Sequence, residues 1–553
     1  MKKIKKVLAT VLALTMGTSA LALASCNPEV ADDDQTLEIF IENYGYGYNW
    51  LNSQIELFKQ QSWVKEKYPN LNIPEIAYNS EDSFAATKIT SGKSSNTADL
   101  LFSVASPAPY YAKRDNTGAL YFEDLTQLYN TKVPDAVPEA EQRTLKDKMI
   151  DELAKVQYIE TFEGPKTYYS APWVDGWMGI LYNKTLVDQY LGEDYQLPRT
   201  TKEFLQMTTD IKANNTKSGS GKLATPFVTS SKVSYWTEVF VTWWAQYEGV
   251  SGYENYWNGL NEFNERSSEI FSQKGRLRAL ETLESLIGVA ANNNHEEVNT
   301  LEFTSAQAKF LLGEGVMMPN GDWFENEMRE TAEENPYDYD ITFMRVPVIS
   351  TIVEKLEYRN GTDYMSDETL ATLVDAIDQG KTYDEAKTLV TGLTQNDYNK
   401  LTEARKVIYK NKGHEAFVPA YATAKELAKD FLLFLATDVA CENFMKVTHG
   451  CGVPYEYNVK TANETLYNSF PMMQKARIEI MSDAIPLKPL NAFRLVNYGG
   501  LSYFVKTPLL DVAFTAKNAD DRKTAKQIFD EDVKFFTESG GANWTFLLNK
   551  AGL

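Results

Sequence analysis

The side chains of this sequence that could do chemistry are not spaced for breaking bonds. No Gly-x-Ser-x-Gly, His-Glu-x-x-His or Walker pattern occurs. The three histidines, His295, His414 and His449, stand singly without metal-ligand spacing, so neither a zinc or iron site nor a cofactor is expected. Gly45 and Gly47 have the spacing that opens a dinucleotide fingerprint, but Trp50 stands where the third glycine should be. What the chain offers is aromatic surface: 12% of its 553 residues, including 32 tyrosines and 10 tryptophans. The densest run is Asn43-Tyr44-Gly45-Tyr46-Gly47-Tyr48-Asn49-Trp50, in which ring faces alternate with amides and glycines. Such a run suits holding a ligand, because rings give large contact at small entropic cost and amides both donate and accept hydrogen bonds. A pair of carboxylates at glycosidase spacing is the enzymatic alternative that sequence leaves open.

Strands and helices must bring these residues together. Leu37–Ile41 reads as a strand, Asn52–Tyr68 as a helix, Asn72–Tyr78 as a second strand, Ser83–Ser91 as a helix and Asp99–Phe102 as a third strand. Alternating strands and helices imply an α/β fold on a mostly parallel sheet, with ligands beyond the strand C-termini. That rule selects Asn43–Trp50, Asn79–Asp82 and Ser103–Ser106 as one wall of a site. A second α/β block runs from about Trp173 to Phe343, followed by an acidic, helix-rich insertion over about 351–413, whose charges read as a solvated face. The apolar helix Ala424–Met445 and a helix at Arg522–Phe536 follow. So long a chain needs two lobes or more. Trp243 and Trp244 lie on an apolar-periodic helix and read as core, and Tyr110-Tyr111 and Tyr168-Tyr169 as packing.

The N-terminus reads as an address. Four lysines in the first six residues precede an apolar stretch, Val7–Leu23, the pattern of a secretory signal over 1–25. It ends in Leu23-Ala24-Ser25-Cys26, which resembles the bacterial lipobox and implies lipidation of Cys26 after cleavage before it. Residues 26–35 then form a polar tether, spanning at most about 30 Å when extended. No later window offers the roughly 18 apolar residues of a membrane span. The net charge is −21 with the basic signal included, which opposes binding to a nucleic-acid backbone and to an anionic membrane surface. Cys441 and Cys451 stand ten apart near Gly450 and Gly452 and are expected as two free thiols, a short disulfide being the alternative.

Four segments carry a family resemblance. Tyr169-Ser170-Ala171-Pro172-Trp173-Val174-Asp175-Gly176-Trp177-Met178-Gly179-Ile180-Leu181-Tyr182-Asn183-Lys184 resembles the proline, glycine and Tyr-Asn-Lys signature of the family 1 extracellular solute-binding proteins of ABC importers. Leu197–Phe204 is similar to its Pro-x-Thr-Trp-x-Glu-Phe helix start, with Thr201-Lys202 as a departure in register. Gly313–Trp323 is similar to its glycine, methionine, glycine, tryptophan segment, and Ala424–Pro454 to its last large helix and Gly-x-Pro. The order of these segments behind a lipobox adds to the likeness.

The resemblance implies a two-lobed, periplasmic-binding-protein-like fold of type II with a ligand cleft between the lobes. It places one lobe at 36–172 plus 346–454, including the insertion, and the other at 173–345 plus 455–553, with exchanges near Pro172, Val346 and Pro454. It implies a sugar ligand, an oligosaccharide above all, delivered to ABC permease subunits by a monomer anchored outside the bacterial cell membrane. A pyranose has a C–H face for a ring to stack on and a rim of hydroxyls for paired polar groups. Carried over by position, the ligand residues are Tyr46, Trp50, Ser106, Asp175, Trp177, Tyr235, Trp236, Asp322, Trp323 and Arg494. At Ser103 and Ser106 relatives often place an aromatic and an acid, which weakens that wall. A peptide or other solute on the same fold, a sensor partner and a secreted glycosidase are the competing readings.

Overall fold

The computed structural model describes residues 35–79, 84–93, 96–104, 117–151, 153–160, 166–216, 221–334, 339–411 and 414–553. The signal, Cys26 and most of the tether lie outside them, as does Ser106. Strands β1 (Ile39–Glu42), β2 (Ala77–Asn79), β3 (Leu100–Ser103), β4 (Ala171–Pro172), β5 (Gly176–Asn183), β6 (Thr225–Phe227), β7 (Gly315–Gly321), β8 (Ile341–Met344) and β9 (Glu415–Phe417) build two sheets. The first has the order β2-β1-β3-β9-β4 and the second β8-β5-β7-β6.

The expected two-lobed α/β architecture is present, and within it the sheets are mixed. β1 pairs parallel with β2 (Phe40 opposite Ala77) and with β3 (Ile39 opposite Leu100), whereas β9 runs antiparallel to β3 and β4. In the second sheet β5 is antiparallel to both β7 and β8, and only β6 and β7 are parallel. The reversals fall where the chain changes lobe. β4 ends at Pro172 in one sheet and β5 starts at Gly176 in the other, so the first exchange takes only the few residues between them.

Helix α1 (Asn49–Gln60) buries Trp50, Leu51, Gln54, Ile55 and Phe58, one face at helical spacing. Helix α2 (Trp236–Asn258) is buried almost all round and is broken at Gly249, whose φ of 77° stops the first half. Helices α3 (Phe324–Glu334), α4 (Asp367–Asp378), α5 (Gln395–Lys406), α6 (Asp438–Val447) and α7 (Met472–Met481) complete the parts needed here. Ser366 and Thr394 cap α4 and α5 as short polar side chains do before an apolar run.

The insertion packs on the second lobe. Leu370, Leu373, Val374 and Leu401 lie in one cluster with Trp243 and Trp244. Glu403 accepts the N–H of Val250 at 2.9 Å, a group left without a helical partner by the break at Gly249. The chain therefore stays with the second lobe beyond Val346 and returns to the first sheet only after Lys410 and Asn411 have paired along β5. Likewise Tyr455, Val459 and Phe470 pack in the first lobe's cluster and Met473 and Ile480 in the second's, which puts the last exchange at about Pro471. Cys441 and Cys451 are buried free thiols. Among the described residues no helix is long and apolar enough to cross a membrane.

Candidate functional site: the junction between the lobes

The C-terminal end of β1 supplies Tyr46, on a loop whose Gly45 has φ +51° and would bring a Cβ within 3.2 Å of the Trp323 side chain. The ring of Tyr46 is met edge-on by Trp173 (5.8 Å), Trp323 (5.9 Å) and His414 (5.2 Å). Tyr235, just before α2, approaches the other side of Trp323 at 6.4 Å. Tyr46, Trp173 and His414 come from the first lobe, Trp323 and Tyr235 from the second, so the cluster closes across the gap. Glycine makes the fit possible a second time at Gly321, where a Cβ would lie 2.2 Å from the Trp323 ring.

Charges lie beneath this cluster. The hydroxyl of Tyr46 donates to Asp322 Oδ1 at 2.6 Å. Asp322 Oδ2 lies 2.7 Å from Arg477 Nε, and Arg477 also donates to the carbonyl of Asp175 at 2.5 Å and to its Oδ2 at 3.2 Å. Lys410 donates to both oxygens of Asp175, at 3.0 and 2.8 Å, and to Asp151. Asp322 has no exposed surface, and Asp175, Arg477 and Lys410 are buried. Burial raises the Asp322 pKa against the pull of Arg477 and Tyr46, and burial together with the Asp322 charge raises that of Tyr46. Burial works against the Arg477 charge, but Asp322 and Asp175 outweigh it and its pKa is raised. His414 is pushed down to about 3 by burial and is neutral, with Nδ1 enclosed and without a partner among the described residues.

Five of the ten expected ligand residues are thus gathered here: Tyr46, Asp175, Tyr235, Asp322 and Trp323. Three others lie in different surroundings. Trp50 stacks on Trp173 at 4.9 Å and 11°, behind the cluster, and donates to the Gly47 carbonyl. Trp177 points to the opposite side of β5 from Ile180, against Phe343 at 4.6 Å, and its ring fills the space beside Gly179. Trp236 has no exposed surface and packs on Phe227. Each is a large ring packed against other aromatic side chains. Arg494 lies apart, half-buried, its Nε donating to the Ala551 carbonyl at 2.6 Å. It lines an interlobe cavity of about 690 Å³ with Lys155, Tyr158, Asn258, Phe493 and Tyr498.

Sequence reasoning missed Trp173, His414, Lys410 and Arg477. Trp173 stands inside the quoted Pro172–Asp175 segment and carried a usable signal. Lys410 and Arg477 carried none, since their partners are 235 and 302 residues away along the chain. Among the described residues no group of histidine, cysteine and carboxylate side chains could hold a metal ion.

Residues 52–364, more than half of the sequence, match the bacterial extracellular solute-binding proteins. The chain belongs to that family. Similar solved structures include a chitin oligosaccharide binding protein (14% identity, TM-score 0.54, covering 90% of this chain and 97% of the other). Another is the T. maritima MalE3 protein with maltose bound (15%, 0.53, 90% and 98%). A third is a Thermotoga lettingae ABC transporter solute-binding protein with α-D-tagatose (14%, 0.55, 90% and 98%). At such identities the likeness speaks for the fold of this solute-binding protein. No curated protein sequence matches it.

Proposed function

We propose that this solute-binding protein captures a sugar, foremost an oligosaccharide, between its lobes and passes it unchanged to an ABC importer, while anchored outside the cell membrane through a lipid on Cys26. The observation that carries this reading is the aromatic cluster Tyr46, Trp173, Tyr235 and Trp323, assembled from both lobes around the Asp322 carboxylate. Rings offer faces to the C–H side of a pyranose, and fixed polar groups penalise a wrong epimer by leaving hydroxyls unmatched. A separate cavity of about 690 Å³ between the lobes, lined by Tyr158, Phe493 and Arg494, has room for more than one ring. Saccharides are also the ligands named for the three similar structures.

Calorimetric titration with glucose, maltotriose, xylotriose and chitotriose tests the ligand class, and saturable binding of at least one is expected. Absence of heat with all four would overturn the sugar reading. Each bound sugar should be recovered intact after hours of incubation, whereas accumulating product would make the protein a glycosidase. The Cys26→Ala variant should leave the membrane fraction and keep its affinity.

A further inference from the structure

Arg477 is the only cation that reaches both buried carboxylates of the junction in the described residues, and it does so from a particular place. It sits on α7, just past the last exchange between lobes. Its guanidinium meets Asp175 on the first link between sheets and Asp322 at the end of β7. Through Asp175 it is joined to Lys410 on the second link. A Cβ on Gly452 would lie 1.8 Å from Arg477 Nη2, so the chain leaves a side chain out where the guanidinium passes. Asp322 in turn is the acceptor for Tyr46 of the opposite lobe. A carboxylate with no exposed surface is held ionised only when a cation faces it, and removing that cation leaves an uncompensated buried charge.

We propose that Arg477 is a positioning residue for the whole junction: by pairing with Asp322 it presents the oxygen that Tyr46 reaches, and so sets how readily the two lobes close on each other. Its guanidinium is buried against the two carboxylates. Its effect runs through Asp322 to the loop carrying Tyr46 and through Asp175 to the links between lobes, which is why one side chain acts on a motion of hundreds of residues. The inference concerns the ligand-free protein and stands apart from the identity of the solute.

Spin labels at Tyr78→Cys and Leu312→Cys report the distance between the lobes, since both positions are exposed, at 52% and 47%, and lie on opposite sheets' lobes. The buried Cys441 and Cys451 stay unlabelled, and Cys26→Ser removes the remaining thiol. In this background the distance distribution of the ligand-free chain should shift on Arg477→Met toward the open form, with the open-to-closed ratio rising about tenfold or more. Tyr46→Phe should shift it the same way, and the double variant should open no further than Arg477→Met alone, because both act through Asp322. Arg477→Lys should restore part of the closed population, since the charge remains and the fork is lost.

The charged and titratable groups facing Asp322 are Tyr46, Asp175, Arg477 and Cys451. Without Arg477 the carboxylate has to protonate to be buried, so closure of Arg477→Met should recover as pH falls from 8 to 5, and the parent should not change. An unchanged distance in Arg477→Met, additive shifts for Tyr46→Phe and Arg477→Met, or equal opening at pH 5 and 8 would each overturn the proposal. Should Arg477→Met fail to fold, the pair Asp322→Asn/Arg477→Met removes both charges. It is expected to fold and to close with no pH response, and a pH response in that variant would sink the idea.

Discussion

Two regions of this molecule gather aromatic rings, and they differ in what surrounds the carboxylates among them. At the lobe junction, Asp322 and Asp175 are buried beside Tyr46 and Trp323, and each faces Arg477, with Lys410 on Asp175 as well. In the second lobe, α2 brings Trp244 within 5.1 Å of Tyr253, 4.6 Å of Tyr256 and 6.1 Å of Trp257. At the start of that helix Asp511 is buried, with the Ser234 hydroxyl donating to Oδ1 and no cation among the causes acting on its pKa, and its Oδ2 has no hydrogen-bond partner among the described residues. Burial there raises the pKa of Asp511 to about 8. The same residue types thus make a charged, bridging cluster at the junction, where cations from distant segments arrive, and a neutral site around Asp511, although elsewhere in the second lobe the buried Asp532 again meets a cation, Arg276.

Titration should break this comparison most sharply. The ordinary pKa of Asp511 is 3.8 and burial takes it to about 8, so the folded state keeps a proton that the unfolded chain gives up between those values. Its contribution is fully present below about pH 4 and is lost as pH rises through about 8, by up to about 5 kcal/mol. Urea unfolding of Asp511→Asn should match the parent near pH 4 and exceed it increasingly toward pH 8. A parallel pH course for the two would show that the carboxyl is not neutral.

Trp257→Ala, in the same core and without exposed surface, should cost about 3 to 5 kcal/mol of stability. Where the variant is folded, sugar affinity should be near that of the parent. At the junction the balance reverses: Trp323→Ala should weaken binding by about 1.5 to 3 kcal/mol while the protein still folds. Equal affinity for the parent and Trp323→Ala would assign that ring to packing, as for Trp236. Gly321→Ala should cost about 1 to 3 kcal/mol of stability, because the new methyl would lie 2.2 Å from the Trp323 ring and push it aside. The smallest effect belongs to Glu403→Ala, which frees the Val250 N–H at the break in α2. It should cost about 1 kcal/mol in thermal unfolding and leave binding alone.

The reading of single elements travelled well where a local pattern carried it. The strand before Tyr46, a helix following that loop, and the core character of Trp243 and Trp244 all follow from periodicity, although the helix begins at Asn49 and so takes in Trp50, which the sequence places in the loop. Rings were harder. Trp177 and Trp323 flank the same pair of strands, yet one turns to Phe343 and the other to Tyr46. Neither neighbour is close in sequence. A tryptophan beside an aspartate looks the same in both settings until the facing element is known.

From sequence alone came the α/β class, which depends on periodicities of two and 3.6, and the two-lobed family fold, which the resemblance of four short segments, among them the one ending at Trp323, implied. Only the tertiary structure decided which lobe the insertion joins, where the chain changes lobes, and that Arg477 and Lys410 meet Asp175. Those outcomes rest on contacts 235 and 302 residues apart, and on a burial that makes a carboxylate depend on a cation no local pattern can name.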